Sequence, residues 1–257
     1  MTAFWLLVCL AFEFCLPRSS SSALLAGAAC QDWRAGFDLN PALVVEHAGT
    51  GFGAAYSRPY GLAGVDWFGG CVAYGRSRWA AGLGVSTLGC EGYRESGFGA
   101  CGACRLPGQL ALGARVEWLV LDQGRYGADG VAAFGMGASW QTGRMRLGLS
   151  GERINRPRFD NGTLVDYRLS AGAAFNPTDD LLLLLDVTRD GPDNSLAGGV
   201  EFKLIPQMAL RGGVGYEPLA YAAGLGVTVR PVQFDYAYRF HPQLKDTHVF
   251  SITASWH

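Results

Sequence analysis

The stretch Val232-Gln-Phe-Asp-Tyr-Ala-Tyr-Arg-Phe240 and its successor Phe250-Ser-Ile-Thr-Ala-Ser-Trp256 decide how this chain folds. Val232, Phe234, Tyr236, Tyr238 and Phe240 share one side of an extended chain, and Gln233, Asp235, Arg239 and His241 share the other. Phe250, Ile252, Ala254 and Trp256 likewise oppose Ser251, Thr253 and Ser255. Alternation of this kind marks a strand whose two faces meet different environments. Toward the amino terminus the pattern recurs. Met145, Leu147 and Leu149 alternate with Arg144, Arg146, Gly148 and Ser150. Val200, Phe202 and Leu204 alternate with Glu201 and Lys203, and Leu110, Leu112, Val116 and Trp118 oppose Arg115 and Glu117. About fourteen such segments fit between Thr50 and the carboxyl end, among them 131–141, 144–154 and 165–175.

Two architectures alternate like this. A β-sandwich turns its polar faces outward and joins its apolar faces within. A membrane barrel does the reverse, with apolar residues against lipid and polar residues in the lumen. The connections separate the two. Arg76-Ser77, Thr142-Gly143, Asn176 to Asp179, Pro206 and Pro231 are tight, whereas Asp122 to Gly130, Asn155 to Leu164 and Asp190 to Ser195 are longer. Short turns on one rim and longer loops on the other belong to a membrane barrel, as does an even strand number. The expected fold is therefore all-β, a transmembrane antiparallel up-and-down barrel. Trp79, Trp118, Trp140, Tyr216, Tyr221 and Trp256 lie near segment ends and are candidates for its interfacial girdles.

Composition agrees. Charged residues make up 17% of the 257, against roughly 25% in an ordinary soluble domain, and aromatics reach 12%. A disordered chain is excluded, because it needs low hydrophobicity and high charge. The formal net charge of -1 offers no cationic excess for nucleic acid. The 37 glycines keep no three-residue period, which excludes collagen. No uncharged stretch reaches the roughly 18 apolar residues of a spanning helix. Residues 1–28 read as a signal peptide: Phe4 to Leu16 is apolar, and Ala26-Gly27-Ala28 is a small-x-small cleavage site. Residues 29–48 are then a short segment before the barrel that can enter its lumen, and residues 49–257 form the barrel.

Several runs at the carboxyl end carry a resemblance. Met208-Ala-Leu-Arg-Gly-Gly-Val-Gly-Tyr216, Ala223-Gly-Leu-Gly226, Phe234-Asp-Tyr-Ala-Tyr238, and Asp246-Thr-His248 with Ser251 resemble the end of PorV-like outer-membrane proteins. That group is similar to the long-chain fatty-acid transporter (FadL) barrels. Tyr167 to Pro177, followed by Leu181 to Val187, resembles the same hairpins, and Asn40-Pro41-Ala42 resembles the family's amino-terminal segment. The resemblance implies a fourteen-strand barrel in a bacterial outer membrane with both termini in the periplasm. In FadL barrels it implies a lumen closed by an amino-terminal hatch, here carrying Asn40, Pro41 and Ala42, with hydrophobic ligands leaving sideways into lipid. In PorV-like members it implies a role in protein secretion.

Other motifs carry less. Gly97-Phe-Gly-Ala-Cys-Gly102 matches G-x-G-x-x-G, but it lies within an alternating strand with no helix after it. Cys101 and Cys104 form a lone C-x-x-C and face opposite sides of one strand, so they do not share a metal. His248 and Ser251 fall on opposite faces, which argues against a hydrolase pair. Asn161-Gly162-Thr163 reads as a loop tip. The lumen-facing candidates are Arg115, Glu117, Arg144, Arg146, Glu152, Asp166, Arg168, Glu201, Lys203, Arg211, Asp235 and Arg239. Both signs are present, so an internal salt-bridge lattice bracing the wall is expected. No catalytic residue, cofactor or metal is assigned. The expected function is passage or binding of small hydrophobic molecules at the outer membrane. A non-enzymatic barrel that engages exported proteins is the alternative.

Overall fold

The computed structural model describes residues 24–30, 32–242 and 246–256. The leader expected over residues 1–28 lies outside the described residues up to position 23. Fourteen strands follow one another: β1 (Gly49–Arg58), β2 (Asp66–Arg76), β3 (Trp79–Cys90), β4 (Tyr93–Arg105), β5 (Leu110–Asp122), β6 (Ala128–Thr142), β7 (Met145–Glu152), β8 (Arg168–Phe175), β9 (Leu181–Asp190), β10 (Asp193–Ile205), β11 (Met208–Tyr216), β12 (Ala220–Val229), β13 (Val232–Phe240) and β14 (Thr247–Trp256). Each pairs antiparallel with its sequence neighbours, and β1 pairs with β14 to close the barrel. The seam runs from Thr50↔Trp256 to Arg58↔His248 without a break. Closure leaves no strand edge unpaired, which is what a sheet surrounded by hydrocarbon requires.

The alternation has the barrel sense. Phe234, Phe250, Leu149, Leu185, Val200 and Phe202 are exposed on the outer surface. Their sequence neighbours Asp235, Ser150 and Asp186 are buried inside. Trp79, Trp118, Trp140, Tyr216, Tyr221 and Trp256 also face outward. An exterior of this kind is matched by lipid and would aggregate in water. Gly49 and Trp256 lie at the same end as the tight turns, so the chain enters and leaves the barrel at one rim.

The opposite rim carries a folded loop. Residues 153–167 between β7 and β8 turn inward and bury Phe159 and Val165 against Tyr93, Leu119 and Leu121. Asp129 accepts from the Asp160 N–H, and Asn155 accepts from the Phe134 N–H at 3.0 Å, which fastens this loop over the mouth. From the other end the lumen is filled by residues 24–30 and 32–48.

Leu149→Arg, halfway along β7 on the outer face, is expected to cost about 2–4 kcal/mol, the price of arginine near the bilayer midplane. Urea titration of the protein folded into lipid vesicles measures it. An unchanged midpoint would mean that this face does not meet hydrocarbon.

Candidate functional site

The plug is built from two short 3-10 turns. Asp32 caps the first, Trp33–Phe37, by accepting from the Arg34 N–H. Asn40 caps the second, Pro41–Glu46, by accepting from the Ala42 N–H at 3.1 Å, and Pro41 supplies the fixed φ that begins it. The Asn40 amide also donates to the carbonyls of Ala28 at 2.7 Å and Ala138 at 3.1 Å. Asn40-Pro41-Ala42 thus ties the plug to itself and to β6. Trp33, Phe37, Val44 and Val45 pack on Ala73, Ala80, Cys101 and Ala111. On the other side Leu24, Ala29, Cys30 and Leu43 pack on Ala174, Leu182 and Leu184.

The wall is shaped to receive it. A Cβ at Gly137 would collide with Asn40 Oδ1, one at Gly113 with Pro41 and Ala42, and one at Gly75 with His47 O. These positions face the lumen on β6, β5 and β2. Glycine there lets the plug backbone touch the wall backbone.

Charge completes the mooring. Arg34 reaches Asp32 at 2.8 Å and Asp235 of β13 at 3.3 Å. Arg211 joins Asp235 at 2.7 Å to Glu201 at 2.6 Å. Burial alone would lower the Arg34 guanidinium, but Asp32 and Asp235 beside it hold it above its ordinary range. Glu46 at the far end of the plug accepts from Arg146 at 3.0 Å and Arg105 at 2.9 Å. Arg115 contacts Glu152 at 3.1 Å and Glu117 at 3.4 Å, and also donates to the carbonyl of Phe37. Asp186 accepts from the Gly27 N–H at 2.6 Å and the Ala28 N–H at 2.7 Å. Burial pushes the Cys30 thiol upward, with Asp32 adding to the effect, so it stays protonated.

The structure distributes the sequence candidates unevenly. Arg115, Glu117, Arg146, Glu152, Glu201, Arg211 and Asp235 line the lumen and meet one another or the plug. Arg168 is at the mouth, paired with Asp190. Arg239 points into the lumen near the same mouth, and its Nε is buried without a hydrogen bond among the described residues. Three candidates are elsewhere. Arg144 is on the β6–β7 turn, exposed and 3.6 Å from Asp179. Asp166 is in the β7–β8 loop, 3.0 Å from Arg156. Lys203 is exposed at the rim, beside the register shift that ends β10. Parity assigned Arg144 and Asp166 to the lumen because alternation runs on into turns, where the wall no longer defines an inside; Lys203 lies on β10 itself, at the rim where the register shifts. The residues that sequence reasoning missed are Arg34, Glu46 and Asp186. Asp186 had a signal: it is the lone charge in Leu181 to Thr188, on the same parity as Leu182 and Leu184.

Between the plug and β1–β5 there remains a cavity of about 40 Å³, touched by Arg34, Phe37, Gly53, Gly69 and Cys71. That is room for a few waters. On the outside of the same wall runs an apolar groove of about 900 Å³, rimmed by Phe68, Val85, Phe98, Phe234 and Phe250. Ala54, Ala55, Gly69, Gly70 and Val85 border both spaces. The ladder here is intact, with Ala54↔Gly70 and Ala55↔Gly69 in register. Inside and outside are thus separated here mainly by alanine and glycine.

Asp235→Ala leaves two buried guanidiniums short of a partner and is expected to cost about 3 kcal/mol. Lys203→Ala, at the rim, is expected to stay within about 0.5 kcal/mol of the parent. Guanidinium melts of the two variants in detergent compare them, and equal midpoints would show that the lattice does not hold the plug. Gly137→Val is expected to lift Asn40 off β6 and raise single-channel conductance in planar bilayers. A conductance equal to the parent's would show that the plug seats without that close approach.

No protein-family model and no curated protein matches the sequence. Solved structures do match. The Ralstonia pickettii toluene transporter TbuX is similar at 14% identity with a TM-score of 0.73, over 96% of this chain and 100% of that one. The CymD monoaromatic hydrocarbon channel is similar at 14% identity with a TM-score of 0.72, over 93% of this chain and 97% of that one. A Pseudomonas aeruginosa FadL homologue is similar at 13% identity with a TM-score of 0.68, over 93% of this chain and 98% of that one. The fourteen-strand closed barrel described above is therefore the fold that these channels share.

Proposed function

We propose that this protein passes small hydrophobic molecules into the outer membrane of a Gram-negative-type envelope. One observation carries the reading: the lumen-side cavity and the apolar groove on the lipid face share a stretch of wall made mainly of the small residues Ala54, Ala55, Gly69 and Gly70 of β1 and β2, with Val85 and Ser86 of β3 and Ser251 of β14 beside them. A molecule that crossed this wall would move from the lumen directly into hydrocarbon. It would not have to cross the charged lattice and plug that fill the lumen toward the tight-turn rim.

The chemistry suits an apolar passenger. Outside the wall the groove is lined by phenylalanines and aliphatic side chains. Above the plug Trp67, Leu88 and Cys90 form an apolar patch facing the lumen. Glycine weakens a strand and packs nothing against its neighbours, so the ladder at Gly69 and Gly70 is the cheapest place for the wall to part. The neighbours named for toluene and monoaromatic hydrocarbons support this class of passenger over a role in protein secretion. The reading assigns the chain no catalytic step.

Gly70→Trp places a bulky ring on the wall's outer face between Ala54 and Val85. It is expected to slow uptake of a radiolabelled monoaromatic hydrocarbon by cells at least tenfold at equal outer-membrane abundance. Leu149→Trp on β7, away from the groove, is expected to leave uptake unchanged. Equal uptake by Gly70→Trp and parent would sink the lateral route.

A further inference from the structure

We propose that Asp186 is the docking site for the α-amino group that export creates at Ala29, so that removal of the leader completes the plug. The reading rests on the Ala28–Ala29 cleavage site and is independent of what the barrel passes.

Asp186 is 6% exposed, deep on the inward face of β9. One carboxylate oxygen accepts from the Gly27 and Ala28 amides. The other, Oδ1, is buried with no hydrogen-bond partner among the described residues. It lies against Gly172 of β8, where any Cβ would collide with it. The two inward positions before it on β9 are Leu182 and Leu184. No Lys or Arg forms an ion pair with it among the described residues, in contrast to Asp235 and Glu152. A carboxylate buried in such a place is costly to keep charged unless a cation meets it.

The sequence delivers one cation to this spot. Ala26-Gly27-Ala28 is the small-x-small site, and the residues whose amides touch Asp186 are the last two of the expected leader. Signal peptidase hydrolyses the Ala28–Ala29 peptide bond with one water. The carboxylate product departs on Ala28, and Ala29 keeps the amino group, which takes up a proton. Cleavage removes both amide donors of Asp186 and replaces them with a charged donor one residue on, about 3.8 Å along the chain. The new ammonium carries three protons, enough for both carboxylate oxygens.

The neighbourhood is already arranged for this exchange. Ala29 is fully buried and packed with Ala35, Leu43 and Ala174. Arg146 holds the carbonyl of the next residue, Cys30, at 3.1 Å, so the new chain end is tethered immediately behind its charge. Asn40 loses Ala28 O as an acceptor but keeps Ala138 O. The uncut chain satisfies Asp186 with dipoles, and the cut chain satisfies it with an ion.

The test uses the protein expressed with its leader and purified from outer membranes. Amino-terminal sequencing is expected to begin at Ala29, and any other start overturns the proposal. The folded protein in detergent is then treated near neutral pH with an amine-acetylating ester, and mass spectrometry follows the α-amine. Acetylation is expected to be at least tenfold slower than in the same protein unfolded in guanidinium. Equal rates overturn the proposal without any variant. Asp186→Asn is expected to raise the folded rate at least tenfold. Asp190→Asn, four residues on along the same face of β9 and paired with Arg168 at the mouth, is expected to keep the parent's rate. Protection that survives Asp186→Asn, or that is lost equally in Asp190→Asn, would assign the shielding to general burial and refute the pairing.

Discussion

Everything in this molecule depends on the seam between β1 and β14. In hydrocarbon a peptide N–H or C=O finds no water, and an unpaired one costs several kcal/mol. Nine residue pairs, from Thr50↔Trp256 to Arg58↔His248, satisfy the last two edges at once. The wall is thereby committed entirely to its own hydrogen bonding. What distinguishes this barrel from any other must reside in its side chains, in the segment it encloses and in the few places where the wall is thin.

The enclosed segment explains the polar interior. Charged residues on a lumen wall suggest a selective pore when read alone. Here they work mainly as ties. Arg34 enters the Asp235–Arg211–Glu201 chain, and Glu46 bridges Arg146 and Arg105. Arg34 and Glu46 of the plug are each met by wall charges of opposite sign. The cavity left beside the plug has room for only a few waters, so on the proposed route the plug must give way before a passenger reaches the thin wall.

The strands were legible because one local rule, alternation, decides them, and the rule holds wherever lipid and lumen face each other. It failed where that contrast ends. The segment expected from 131 begins at Ala128, since Ala128 to Gly130 extend the ladder past the point where side chains alternate. The segment expected from 165 begins at Arg168, because Val165 belongs to the inward loop and is buried with Phe159 rather than facing lipid. Parity placed Arg115, Glu152 and Asp235 inside but could not exclude Arg144 or Asp166, which lie just beyond strand ends. The plug's partners were not legible at all. Arg34 and Asp235 are 201 positions apart, and nothing near either residue announces the other. Only Asp186, an acid alone among leucines, was conspicuous enough to have been noticed.

The ties along the plug are spread out: the contact with Asp186 at one end, Arg34 in the middle and Glu46 at the other. Each belongs to a different sector of the cylinder, so no single rupture sets the segment adrift. Thermal fluctuation can peel one portion away from the staves while the others keep the bung in place.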